Sequence, residues 1–287
     1  MLGFICNRAG FDYFDDDVAR FVPTTSFCSP QAHHRQWRAL DARHGRVLIR
    51  RGYGIFSGVE DALVVWNPIT GEEQELITPR YSSSWNAAVL CAQSGACDHL
   101  DCHSGSFLIV FLGSNRNEAF IYVYSSKDDV WSEPISTQQP LYHVDSMPSV
   151  LIGNTFYFML HTSNKILKYD LETNEMSFIQ LPPAYLNWFC AGDLLITTEV
   201  GGLGFASVTI DLETLLPNHA LLSSPDVVGF ADGIGVIFLK GANGVAFTID
   251  LKSYKVKKVC ECEGHRIYSI VPYMSFYTPG IATYPIG

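Results

Sequence analysis

Short apolar runs alternate with polar turns along the whole chain, and one unit returns several times. It has an apolar strand, a turn opened by Asp, Asn or Ser, and a second strand. The clearest copies are residues 62–76, 165–179 and 245–259; residues 119–131 form a looser copy and 207–216 a damaged one. Aligned on the residue that opens the turn, Asn67, Ser125, Asp170, Asp211 and Asp250 fall in register, at steps of 58, 45, 41 and 39 residues. Asn or Asp in that place bonds the backbone two residues on, and a Gly or Asn further along tolerates left-handed geometry. Each copy therefore predicts a β-hairpin.

Further apolar runs led by Gly precede several hairpins, at residues 45–50, 153–160 and 233–239. Strands in groups of three or four at a period of about 40–50 residues are what propeller blades require. The expected fold is all-β: a single domain over residues 1–287, a β-propeller of about six four-stranded blades, one of them incomplete at 201–216. The strand-like segments 2–6 and 267–271 predict that the two ends of the chain share a blade. A β-sandwich with long hairpins is the competing arrangement.

Composition agrees with a large β core. Hydrophobic residues are 47% and charged residues 17% of the chain, and 14 Tyr, 18 Phe and 5 Trp suit pleated surfaces. The net charge of −10, with Lys255, Lys257 and Lys258 as the densest basic run, argues against nucleic acid and against an anionic membrane surface. No apolar run reaches the roughly 20 residues that a spanning helix needs. Residues 1–20 lack a secretory pattern, since Asp12, Asp15, Asp16 and Asp17 interrupt them, and no Asn-x-Ser/Thr sequon occurs. An intracellular address, cytoplasm or nucleus, follows. The eight Cys are then expected as reduced thiols.

Candidate chemistry is sparse. Cys91, Cys97, His99, Cys102 and His103 are spaced C-x5-C-x-H-x2-C-H, without the paired knuckles of a zinc site, and read as an inter-strand loop. Cys260 and Cys262 share one face of a strand near His265 but lack a fourth ligand. Asp15, Asp16 and Asp17 lack the alternating spacing of a calcium loop. Gly201, Gly202 and Gly204, like Gly233 and Gly235, are not in a phosphate-loop pattern and read as strand-leading glycines. No G-x-S-x-G elbow occurs, and His33, His34 and His161 read as loop or hairpin residues. No catalytic, cofactor-binding or metal residue is assigned, and no enzyme activity or cofactor is expected. Trp66, Trp85, Trp131 and Trp188 are expected to pack between blades.

The string Leu63-Val-Val-Trp-Asn-Pro-Ile-Thr-Gly-Glu72 resembles the "VVWNPxTGE" hairpin of plant F-box-associated β-propeller domains. The segment 41–48 just upstream is similar to their preceding strand, and 153–183 to a later blade with its closing Leu181-Pro182-Pro183. Segments 21–27, 95–102 and 269–277 extend the likeness to nearly the whole chain. The resemblance implies a propeller that presents a protein substrate for ubiquitin transfer, with an N-terminal F-box docking the Skp-type linker of the ligase. The chain departs from the pattern in the shortened stretch 201–216 and in having no F-box: residues 1–20 lead directly into the first strand. The expected function is therefore a protein-interaction module without ligase-linker docking. The alternatives are a propeller-type hydrolase or carbohydrate-binding protein, and a nonfunctional truncated family member.

Overall fold

The computed structural model describes residues 1–10, 18–26, 33–52, 62–79, 84–93, 102, 105–115, 117–137, 143–145, 147–161, 165–180, 195–197, 203–205, 216, 226–231, 234–262 and 265–274. Its strands form antiparallel sheets arranged as propeller blades. In blade 1, β1 (Gly3–Gly10) and β2 (Val18–Pro23) are followed by the short β3 (His33–Arg35). Blade 2 is β4 (Trp37–Arg43), β5 (Arg46–Arg51), β6 (Ala62–Trp66) and β7 (Glu73–Ile77). Blade 3 is β8 (Ser84–Cys91), β9 (Phe107–Ser114) and β10 (Ala119–Ser125), with β11 (Val130–Trp131) and β12 (Ile135–Thr137) sharing its outer edge. In blade 4, β13 (His143–Val144) and β14 (Val150–Ile152) share the inner place, before β15 (Thr155–His161), β16 (Lys165–Asp170) and β17 (Glu175–Gln180). A pair of short strands follows, β18 (Leu195–Thr197) and β19 (Leu203–Phe205). Blade 5 is β20 (Asp226–Ala231), β21 (Val236–Lys240), β22 (Val245–Asp250) and β23 (Val256–Glu261).

The last strand, β24 (His265–Tyr273), completes blade 1 from the inside and pairs with β1 from Gly3↔Tyr273 to Gly10↔His265. This is the shared blade expected from the two ends of the sequence.

The expected count of about six blades is corrected to five. The reason lies between β17 and β20, where the described residues supply a two-stranded pair and Leu216 rather than four strands. The 58-residue first step of the repeat is not a missing blade either: the connection from β8 to β9 is long, and blades 2 and 3 follow one another directly. The expected incomplete stretch 201–216 falls in this short region and lies mostly outside the described residues.

Strand alternation sends successive side chains to opposite faces, so each blade packs against both neighbours. In β1, Ile5 joins Phe21, Trp66 and Tyr273 between blades 1 and 2, while Phe4 and Cys6 face Phe238 and Ala246 of blade 5. Trp85 stacks on Phe111 at 5.0 Å and joins Leu48 and Leu63 between blades 2 and 3. Trp131 packs on Tyr124 and donates its indole N–H to the Ile77 carbonyl of blade 2, 3.0 Å away. Trp66, Trp85 and Trp131 therefore serve as inter-blade packing; Trp188 lies outside the described residues.

Buried polar side chains tie each blade to the next. Asn7 of blade 1 donates to the Ala39 carbonyl at 2.7 Å and accepts from the Ala39 amide at 2.9 Å. Asp41 of blade 2 accepts the Val89 amide of blade 3 at 2.9 Å. Asn86 of blade 3 donates to the carbonyls of Asp145 and Met147 in blade 4, each at 2.8 Å. These bonds satisfy backbone groups of the next blade, and those of Ala39 lie beside a bulge in β4.

Candidate interaction site

The turn chemistry expected at the hairpins is present in four of them. The Asn67 side chain accepts the Ile69 amide at 2.9 Å, and Asp170 accepts the amides of Glu172 and Thr173 at 2.9 and 3.1 Å. Asp250 accepts those of Lys252 and Ser253 at 2.9 and 2.8 Å. At Ser125 the hydroxyl takes the Asp128 amide, at 3.3 Å. Asp211 lies outside the described residues. Four residues after each opener the backbone is left-handed, at Gly71, Asp129, Asn174 and Tyr254. Gly45, Gly153 and Gly235, read as leading strands, hold positive φ in the turns before β5, β15 and β21.

Because strands alternate in direction, these four tight turns lie on one rim and the starts of the inner strands on the other. Between the turns of blades 2 and 3 is a polar cleft of about 750 Å³, lined by Arg46, Asn67, Glu72, Glu73, Gly105 and Phe107 among others. Arg46 is committed there: it donates to the Gly105 carbonyl and lies over the Phe107 ring at 5.1 Å, and burial lowers its pKa.

The wall of the central channel is different. Tyr268, on the innermost strand β24, is 47% exposed, although its neighbours Ile267 and Ser269 are buried. The Arg38 guanidinium, from the innermost strand of blade 2, lies 5.5 Å from the centre of the Tyr268 ring. Arg266, two residues earlier on β24, is exposed. The acids on the described inner strands are both engaged. Asp41 bonds Arg43 at 2.7 Å and the Val89 amide, with burial pushing its carboxyl up, and Asp226 pairs with Lys240 at 2.8 Å. The buried Arg38 thus backs the half-exposed Tyr268 ring, and the exposed Arg266 lies two residues away along β24, at one end of the channel wall.

The Cys91 amide donates to His44 Nδ1 at 2.9 Å, and the Cys102 thiol is 3.7 Å from the His44 carbonyl. Their suggested partners Cys97, His99 and His103 lie outside the described residues, as do Asp15, Asp16, Asp17, Gly201, Gly202 and Gly233. Cys260 and Cys262 do share a face, and the third group beside them is Cys6 rather than His265: the three sulfurs all lie within 4.8 Å of one another. Cys6 was missed because its partners are more than 250 residues away. The signal was present in the predicted sharing of a blade by the two ends.

Comparison with known proteins now adds the family. Residues 38–194, more than half of the chain, match the family model described as "F-box protein AT5G49610-like, beta-propeller". The chain belongs to this F-box-associated propeller family. Membership supports, at a coarse level, a protein-interaction module. A search of curated proteins found no match. Among solved structures, a nidogen/laminin complex chain is 12% identical, covering 94% of this chain and 97% of its own, with a TM-score of 0.46. The β-propeller domain of the Trilobed protease from Pyrococcus furiosus is 6% identical, covering 90% and 81%, with a TM-score of 0.44. Citrobacter koseri AztD is 10% identical, covering 90% and 83%, with a TM-score of 0.36. These likenesses are too distant to bear on function. Among the described residues, no helix is long and apolar enough to cross a membrane.

Proposed function

We propose that this propeller is a recognition module, without catalysis of its own, that grips a segment of another protein at the channel wall. The observation that carries the reading is the half-exposed Tyr268 with Arg38 over its ring and Arg266 beside it. Tyr and Arg dominate binding hot spots, because a rigid ring and a planar fork bury much area with little loss of freedom. The exposed Arg266, with the buried Arg38 behind the ring, in a chain of net charge −10, suits a segment bearing a carboxylate. In the family setting the gripped protein is a substrate selected for ubiquitin transfer. The place of action is the cytoplasm or nucleus; the five described cysteines are all free thiols, which suits a reducing compartment.

The test is a quantitative pull-down from native extract with the chain and with its Tyr268→Ala/Arg266→Glu variant, both first shown to melt at the same temperature. Proteins retained by the chain and lost at least tenfold with the variant are the expected result. Equal retention by both moves the site elsewhere, and no specific retention removes the reading. Recovery of the Skp-type linker by the chain itself separates ligase coupling from substrate binding.

A further inference from the structure

We propose that Cys6, Cys260 and Cys262 form a three-coordinate thiolate site for monovalent copper, at the seam where the ring closes. Cys6 lies on β1, while Cys260 and Cys262 lie on and just beyond β23, so the group joins the first strand of the chain to the last blade. None of the three is in a disulfide.

The spacing fits a metal. With metal–thiolate bonds of about 2.3 Å, three sulfurs around one trigonal ion stand about 4.0 Å apart. The Cys260 and Cys262 sulfurs are already 4.0 Å apart, and the longest separation in the group, within 4.8 Å, closes by small side-chain rotations. Soft thiolates select Cu(I) and Zn(II) over harder ions. Structural zinc closes its shell with four ligands. Among the described residues this group offers three, which suits the lower coordination number of Cu(I).

The charge fits too. Arg8 follows Cys6 by two residues on the same face of β1, and Arg20 in β2 is the cross-strand neighbour of Cys6. Both guanidinium charges act on the Cys262 sulfur. The Nε and Nη2 atoms of Arg8 are buried, with no hydrogen-bond partner among the described residues. Buried N–H groups without acceptors are costly. Three thiolates around Cu(I) carry a charge of −2, which the two arginines neutralise. Phe4, Val228 and Phe238 share one apolar cluster with Cys6 and Cys262, while Cys260 is half-buried at its edge. Binding forms three Cu–S bonds and expels the thiol protons to solvent, up to three per ion; no change of oxidation state is involved.

The experiment uses the full chain, reduced and anaerobic, titrated with Cu(I) against bicinchoninate, and separately with Zn(II) against a chromophoric chelator. One tightly held Cu(I) per chain is expected, with copper X-ray absorption showing three sulfur neighbours near 2.3 Å. Cys6→Ser, Cys260→Ser and Cys262→Ser should each weaken Cu(I) binding by at least about a hundredfold, beyond what loss of a group that only supports a ligand costs. Cys91→Ser should leave it unchanged. Should a variant not fold, the absorption spectrum of the unmodified chain still decides: nitrogen or oxygen neighbours, or two sulfurs, overturn the proposal. Failure of the reduced chain to bind Cu(I), or preference for Zn(II) over Cu(I), overturns it as well.

Discussion

At the scale of single residues, the four hairpin turns set the same backbone demand and meet it with different side chains. Gly71 has no Cβ to clash in the left-handed region, and Asp129 and Asn174 are among the few other residues that settle there. Tyr254 is the exception: φ is +54° and the side chain is 51% exposed. A bulky side chain in this region costs about 1–2 kcal/mol, and the exposed ring recovers little of that through packing. Tyr254→Asn is therefore expected to stabilise the protein by about 0.5–1 kcal/mol, seen as a rise of about 2 °C in the melting midpoint. An unchanged or lower midpoint would mean that the ring contributes packing that its exposure does not suggest.

At the scale of elements, the hairpins were the most legible part of the sequence, because their information is local. An Asp or Asn, the amides two and three residues on, and the left-handed residue four on lie within five positions, and the side chains themselves state the geometry. Ring closure let the two ends be expected in one blade, but local pattern could not give which side chains of neighbouring blades meet. The strands 3–10 and 265–273 look like any other apolar runs, and only closure of the ring makes them neighbours. The same distinction explains the sites. Cys260 and Cys262 were visible as a pair along one strand, whereas Cys6 and the Tyr268–Arg38 contact required knowing which blades meet.

The turns also make a prediction about acid stability. Backbone amides, chiefly that of Thr173 for Asp170 and that of Ser253 for Asp250, hold both carboxyls below the ordinary carboxylate range. A depressed folded pKa gives stability that is fully present above the unfolded value, about 3.9, and lost as pH falls through the folded one. Asp170→Asn/Asp250→Asn keeps the accepting oxygen but removes the charge. The double variant should melt below the unmodified protein at pH 7, with the gap closing as pH approaches 2. A gap that stays constant across thermal melts over this range would show that the carboxylate charge adds nothing to these turns.

At the scale of the whole molecule, the ring depends on how closely neighbouring blades approach at the seam. The face of β1 and β24 carrying Phe4, Ile267 and Ile270 packs on Val228, Ala231 and Phe238 of blade 5. Gly229, on the inner strand of blade 5 beside a bulge in β20, allows the approach: a Cβ placed there would stand 2.3 Å from the Ile270 carbonyl oxygen. Its φ does not demand glycine; only the space does. The obstacle is backbone, which cannot rotate away as a side chain can, so Gly229→Ala must push blade 5 from blade 1 or distort β24. Overpacking of this kind costs about 1–3 kcal/mol, and a contact with main chain belongs at the upper end. Gly153→Ala is the control: it has φ of +58° and open space, so its cost is the conformational one alone, about 1 kcal/mol. Urea unfolding should therefore rank Gly229→Ala as the more damaging of the two, with an altered near-ultraviolet signal from the aromatic residues at the seam. If the order were reversed, the seam would have slack, and closure by β1 and β24 rather than close packing against blade 5 would be what holds the ring.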